Sequence, residues 1–357
     1  MLRTLKSARC ARALFDAAER HSGNFGVVRY RPLAKGRGSV KHRSMKAPPI
    51  LLAAGLFLMG TAAGASPLLL VDASSGNILE AQEATRSWHP ASLTKLMTAH
   101  LALLAVEAGR LSMDTSVVMS ARAVAQAPTK LGVPAGTSLR LEDALTVMMV
   151  KSANDVAVAI AEAVGGSEAS FVAAMNAEAR RLGMSGTRYV NANGLHDERQ
   201  VTNARDMAVL MLAVLGYHSG YGDLFRTPSI TINGRTLKNT NKLIEDYAAL
   251  EATKTGYVCA SGFNAATSAV QGGRRVIAVV LGSPNAAART RTTRELLDTG
   301  LSGAAAPIGN LRVLKADAPL PGADLRRLKC GRQGPAVARA TVAGGDAKRA
   351  DVSQPRD

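Results

Sequence analysis

Aromatic side chains are scarce in this chain of 357 residues: one Trp, six Tyr and six Phe, or 4%. That leaves few stacking platforms for a single-strand nucleic-acid binder. The formal net charge of +17 would otherwise suggest an anionic partner. Cysteine is also sparse, and Cys10, Cys259 and Cys330 are too few for a disulfide scaffold. The histidines, His21, His42, His89, His100, His196 and His218, form no H-E-x-x-H and no clustered ligand spacing. Zinc chemistry therefore finds no ligand set, and neither metal nor cofactor is expected. No internal repeat is present, which excludes a solenoid. Acidic residues number 27 against 44 Lys and Arg, so the location of the deficit matters.

The excess is concentrated at the ends. Residues 1–46 hold twelve Lys and Arg against Asp16 and Glu19 alone. An uncharged run follows from Ala47 to Ala65, with the apolar core Ile50–Gly60 and the small-residue ending Ala63-Gly64-Ala65. A positive segment, an apolar segment and a small-residue site form a secretory signal. Met45-Lys46 is an ordinary signal start, so residues 1–44 are expected to be a leader outside the translated or retained protein. The alternative is an uncleaved segment that tethers the chain to a membrane. Residues 66–300 carry 22 basic and 20 acidic residues and are nearly neutral. Residues 301–357 carry ten basic and five acidic residues, are rich in Ala, Gly, Pro and Arg, and lack apolar periodicity. They read as an extended or partly disordered appendage.

Within 66–300 the pattern runs strands, helices, strands. Leu68–Asp72 and Ile78–Ala81 flank the turn Ser74-Ser75-Gly76-Asn77, a hairpin signal. Ser92–Gly109 repeats apolar residues at helical spacing, and Leu141–Met149, Asp155–Val164, Glu168–Leu182 and Ala204–Leu215 read as further helices. Strand signals return at Ile230–Ile232, Ala252–Val258, Ala265–Gln271 and Arg275–Leu281, and Thr292–Leu297 reads as a closing helix. Short turns such as Gly272-Gly273 imply antiparallel pairing. The expected fold class is α+β: an antiparallel sheet built from both ends of the domain, flanked by helices, with a helical insert.

Three short motifs carry chemistry. Ser92-Leu93-Thr94-Lys95 starts two residues after Pro90. Three residues of helix turn about 300°, which puts Ser92 and Lys95 on one face. A Ser hydroxyl needs a base, and a Lys amine serves if burial or a second cation lowers its pKa. The plainer alternative is an N-cap Ser92 and a solvated Lys95. In Ser152-Ala153-Asn154, both polar side chains face one cleft if the segment is a turn; alternatively one of them caps the helix near Asp155. Lys254-Thr255-Gly256 lies in a predicted strand, with a cation and a hydroxyl for a carboxylate and a glycine that lets another backbone lie close. Its alternative is an edge strand guarded by a lysine.

The combination is more specific than any part. S-x-x-K, S-x-N and K-T-G follow in order, as in the penicillin-recognising serine enzymes. With the longer stretches HPASLTKLMTAHLAL, MMVKSANDVAVAIAEAVGG, MNAEARRLGMSGTRYVNANGLHDERQVTNARDMAVL and ATKTGYVCASGFNAATSA, the chain resembles the D-alanyl-D-alanine carboxypeptidases, the low-molecular-mass penicillin-binding proteins. The likeness covers about residues 67–300.

That resemblance implies a β-lactamase/transpeptidase-like fold and an envelope enzyme whose partner is a peptidoglycan stem peptide ending in D-Ala-D-Ala. It implies that Ser92 attacks the terminal peptide carbonyl, Lys95 takes its proton, Ser152 relays a proton to the leaving amine, and Asn154 orients the substrate amide. The backbone N–H groups of Ser92 and Tyr257 would hold the oxyanion. Lys254, Thr255, Gly256 and Arg289 would receive the substrate, with Arg289 on its carboxylate; a solvated Arg289 is the alternative. β-Lactams would acylate the same serine, and no nucleic acid is involved. The implied location is the periplasm, outside the inner membrane.

A D,D-endopeptidase would use the same groups. A serine β-lactamase would need a deacylating Glu, and no E-x-x-L-N pattern occurs. A non-enzymatic basic wall-binding protein would explain the charge but not the motifs. Many relatives add a β-rich domain and an amphipathic anchor, and residues 301–357 have the composition of neither. Export permits a Cys259–Cys330 disulfide that pins the tail near the third motif; two free thiols are the alternative.

Overall fold

The computed structural model describes residues 66–326 apart from Asp317. The leader, the signal-like segment, Cys10, Cys330 and most of the basic tail lie outside the described residues. Among those residues a six-stranded antiparallel sheet forms in the order β10-β2-β1-β9-β8-β7. Its strands are β1 (Leu68–Asp72), β2 (Asn77–Gln82), β7 (Leu250–Val258), β8 (Gly262–Gln271), β9 (Arg274–Ser283) and β10 (Gly309–Asn310). Two small ribbons pair β3 (Ser116–Val118) with β4 (Ser138–Arg140), and β5 (Ser229–Ile232) with β6 (Arg235–Lys238). The main helices are α1 (Thr94–Glu107), α2 (Leu141–Lys151), α3 (Asn154–Gly165), α4 (Glu168–Arg181), α5 (Ala204–Tyr217) and α6 (Ala286–Ser302).

Alternation in β9 explains the layers. Ile277, Val279 and Leu281 join the large core shared with α1–α5, whereas Val276, Ala278 and Val280 meet Leu296 and Leu297 of α6. Side chains two apart share a face, so an uninterrupted apolar strand must be covered on both sides. The turns follow from local chemistry. The Asp72 carboxylate accepts the Ser74 and Ser75 backbone N–H groups, closing β1 onto β2. Gly272 and Gly273, both at positive φ, join β8 to β9 as a two-residue hairpin.

Helix α1 is apolar nearly all round and is correspondingly buried: Leu96, Met97, Ala99, Ala102 and Leu103 are fully inside. Its polar residues are buried with it, and they define the site below.

The expected α+β fold holds, an antiparallel sheet built from both ends of the domain and flanked by helices. The expected boundary at residue 300 differs from the structure. Residue 302 ends α6, β10 then adds to β2, and Leu311 is buried in the large core. Further on, Ser87 Oγ donates to Leu320 O at 2.6 Å, and Leu325 N donates to Ala260 O at 2.9 Å. Isolated apolar residues at irregular spacing seat this stretch, so it lacks the periodicity by which sequence reveals packing.

Candidate active site

Helix α1 is entered through a 3₁₀ turn, Ala91–Leu93. Ala91 lies at φ +49, a left-handed conformation that a residue with a Cβ adopts only when its surroundings impose it. The imposing groups are visible. Asn264 of β8 donates through Nδ2 to His89 O and Pro90 O at 3.0 and 3.2 Å, while its Oδ1 accepts from Gly282 N at 2.9 Å. Strand β7 approaches from the same side. A Cβ on Gly256 would lie 2.9 Å from Ser92 N, and one on Gly194, at φ +86, would lie 2.0 Å from Ala91 O. Both glycines are required by this close approach.

Lys95 is fully buried. Its Nζ lies 3.0 Å from Ser92 Oγ and 2.7 Å from Asn154 Oδ1, and it also contacts Asn193 O. Burial pushes its ammonium well below the ordinary lysine value; the Lys254 charge adds to this, and the Asp155 carboxylate opposes it. A neutral amine suits this environment. Two N–H bonds would serve the Asn154 and Asn193 oxygens, and the lone pair would remain for the Ser92 hydroxyl.

Ser152 ends α2 at φ +58, another left-handed residue, and Ala153 is extended before α3 begins. That kink sends Ser152 Oγ to Lys254 Nζ, 2.9 Å away, and Asn154 to Lys95. Neither residue supplies a helix cap: the N-cap of α3 is Ala153, with no side-chain bond. Asn154 Nδ2 donates to Ala127 O at 2.9 Å, so the amide spans Lys95 and the loop over residues 127–132.

Lys254 sits on β7, an edge strand, yet it is 3% exposed and guards no edge. Burial and then the Arg289 guanidinium push it down to about 7. Arg289, in the first turn of α6, is 7% exposed, and burial lowers it from the usual arginine range. Among the described residues no carboxylate lies within ion-pair distance of Lys95, Lys254 or Arg289. Arg289 lines a cleft of about 380 Å³ together with Ser92, Ser152, Asn154, Thr255, Gly256 and Tyr257, and Lys254 lies against its Ser152 wall. A buried, acid-free cationic cleft favours an anionic ligand.

The structure thus brings the three motifs together and places Arg289 beside them. Tyr257 is 44% exposed and stacks on Phe263 with ring centroids 4.3 Å apart. Sequence reasoning did not single out the Asn193 carbonyl, Gly194, Asn264, or the cleft-lining Pro128, Thr129, Leu195 and Thr240. Backbone groups and generic polar residues carry no spacing signal; NANGL stood out only within a family-like stretch. Cys259 is disulfide-bonded, and its expected partner Cys330 lies outside the described residues. Among the described residues no group of three or more His, Cys, Asp or Glu side chains is arranged to hold a metal ion.

The fold thus gathers a serine–lysine pair at the entry to α1, a kinked S-x-N and a K-T-G strand around one cleft. The chain belongs to the D-alanyl-D-alanine carboxypeptidase family, peptidase S11, whose sequence profile matches residues 60–285. It is similar to D-alanyl-D-alanine carboxypeptidase DacD of Salmonella typhimurium, 34% identical over 239 residues, covering 65% of this chain and 61% of that protein. The chain spans about three fifths of the length of the first such curated relatives. Among solved structures it resembles penicillin-binding protein 6B from Escherichia coli, at 33% identity and a TM-score of 0.63, covering 66% of this chain and 77% of that one. It also resembles penicillin-binding protein D2 from Listeria monocytogenes in the ampicillin-bound form, at 30% identity and a TM-score of 0.58, covering 66% and 96%.

Proposed function

We propose that this protein is a serine D-Ala-D-Ala carboxypeptidase that removes the terminal D-Ala from peptidoglycan stem peptides and is acylated by β-lactams. The observation that carries the reading is the fully buried Lys95 amine, 3.0 Å from Ser92 Oγ, behind a cleft that Arg289 lines.

In this reading neutral Lys95 takes the Ser92 proton as Oγ attacks the peptide carbonyl. The Ser92 and Tyr257 N–H groups receive the oxyanion, an assignment supported by the tight approach of Gly256 to Ser92 N. Ser152, hydrogen-bonded to Lys254, delivers a proton to the leaving D-Ala amine. Thr255 and Arg289 hold its carboxylate, which guanidinium binds as a fork. Asn154 fixes Lys95, and its residue also faces the cleft toward the substrate amide. Water then cleaves the acyl-enzyme. A β-lactam, with a carboxylate beside its strained amide, fits the same contacts. The proposal includes export to the periplasm, supported by the basic, apolar and small-residue order of residues 45–65.

Peptide mapping by mass spectrometry after penicillin treatment tests the nucleophile, and D-Ala release from a peptide ending in D-Ala-D-Ala tests the reaction. An adduct at Ser92 with D-Ala release is expected. An adduct elsewhere overturns the reading. Sustained penicillin turnover would make the protein a β-lactamase, and cleavage confined to crosslinked muropeptides would make it an endopeptidase.

A further inference from the structure

Asp155 follows Asn154 in the first turn of α3 and is completely buried, yet it lines no part of the cleft. Among the described residues no Lys or Arg lies within ion-pair distance of it. Backbone N–H groups compensate its charge instead. Oδ1 accepts from Leu131 N at 3.0 Å and from Val156 N at 2.9 Å, and Oδ2 accepts from Gly132 N at 3.0 Å. The Val156 bond is ordinary for an acid at a helix start. The other two reach 23 and 24 residues back, to a loop without regular structure of its own.

That loop is a wall of the cleft, through Pro128 and Thr129. Lys130 Nζ donates to Val124 O at 3.1 Å and Leu131 is buried in the large core, and three further hydrogen bonds come from the same short segment. Thr129 Oγ1 donates to Ser152 O at 2.9 Å, Asn154 N donates to Thr129 O at 2.7 Å, and Asn154 Nδ2 donates to Ala127 O at 2.9 Å. Ser152 and Asn154 hold the near half of the loop and also touch the lysines. Asp155 holds the far half, and it does so with charge-assisted bonds, about twice as strong as neutral ones.

We propose that Asp155 is a positioning residue for acyl transfer, fixing the Pro128–Thr129 wall of the cleft against the Ser152–Asn154 kink. This inference rests on the function proposed above. With an amide in place of the carboxylate, one acceptor oxygen becomes an NH2 donor, so at least one of the Leu131 and Gly132 N–H groups loses its acceptor and the wall relaxes away from Asn154. The same carboxylate opposes the lowering of Lys95, so its removal also keeps that amine neutral to lower pH.

The test compares Asp155→Asn and Asp155→Glu with the wild type, in the second-order rate of penicillin acylation across pH and in thermal stability. Asp155→Asn should acylate about 10- to 100-fold more slowly, the range expected for misplacement of a site wall by about 1 Å. Its acid limb should move to lower pH. Asp155→Glu keeps the charge but displaces the loop, so its rate should fall with the limb unmoved. A rate loss that only tracks the unfolded fraction, or wild-type rates in folded variants, overturns the proposal. Should neither variant fold, amide exchange in the wild type decides: slow exchange at Leu131 and Gly132 is expected, and fast exchange overturns it. Absence of a Ser92 adduct in the wild type sinks the functional reading instead.

Discussion

Lys254 Nζ donates to Ser152 Oγ at 2.9 Å, joining residues 102 positions apart. One lies on an edge strand and the other at a left-handed helix end. Their contact brings two motifs that are distant in sequence to one side of the cleft.

Lys254 is held down to about 7 by burial and Arg289. A substrate carboxylate binds better while this lysine is charged. The free-enzyme rate constant for penicillin acylation should therefore decline as pH rises through about 7. A plot of that constant from pH 5 to 10 checks the point; a flat alkaline side would show that the charge is not used.

Ser152→Gly separates strain from chemistry. Relief of the φ +58 conformation is worth up to about 1 kcal/mol, set against the greater flexibility of glycine in the unfolded chain. The melting temperature should hold or rise slightly. D-Ala release should fall about 10²- to 10⁴-fold, because the proton relay is gone. Calorimetry and a D-Ala assay on one preparation check both halves.

Arg289→Ala should raise KM for a D-Ala-D-Ala peptide about 10- to 100-fold, in proportion to the loss of a charge-assisted bond. A substrate whose terminal carboxylate is amidated should show almost no difference between wild type and variant. Equal losses on both substrates would remove Arg289 from carboxylate recognition.

Gly194→Ala places a methyl group 2.0 Å from Ala91 O, at a φ of +86. It should cost about 2–4 kcal/mol through overpacking and backbone strain combined. Gly256→Ala meets Ser92 N at 2.9 Å, so its expected effect falls on acylation more than on stability. Urea unfolding alongside penicillin labelling distinguishes the two.

Away from the cleft, His100 links α1 to α4 and α5. Its Nε2 lies 2.8 Å from Glu178 Oε1 and its Nδ1 lies 2.7 Å from His218 Nε2; His218 Nδ1 lies 2.7 Å from Glu107 Oε1. His100 and Arg181 hydrogen bonds outweigh burial and hold Glu178 down at about 2, against 4.5 for a free glutamate. A depressed carboxylate contributes stability that is fully present above pH 4.5 and is lost as pH falls toward 2. Glu178→Gln should flatten the stability profile in that window, as measured by urea midpoints at stepped pH.

Much of this architecture was legible in the chain. Apolar spacing and the length of apolar runs located α1 through α5 and the long strands within a few residues, because most of their side chains are buried. The closing helix was read as Thr292–Leu297 but spans Ala286–Ser302, since its arginine-rich first turns offer no apolar repeat. Strand β5 showed as Ile230–Ile232, whereas β3, β4, β6 and the two-residue β10 are too short for a period to show. At the site, motif order exposed Ser92, Lys95, Ser152, Asn154 and Lys254. The Asn193 carbonyl, Asn264 and Asp155 were not assigned roles, because each acts through a backbone group, its own or a partner's, across a long stretch of sequence.

The sequence alone determined which groups were available: two serines, two lysines, an asparagine and an arginine in a fixed order behind a signal-like segment. It left each motif with a plain alternative, a cap, a solvated lysine or an edge guard. Only the tertiary structure decided among them, by burying Lys95 and Lys254 where, among the described residues, no carboxylate lies within ion-pair distance. Burial and the nearness of another cation, Lys254 for Lys95 and Arg289 for Lys254, are properties of position in space, and they depress the lysines that local sequence would leave charged.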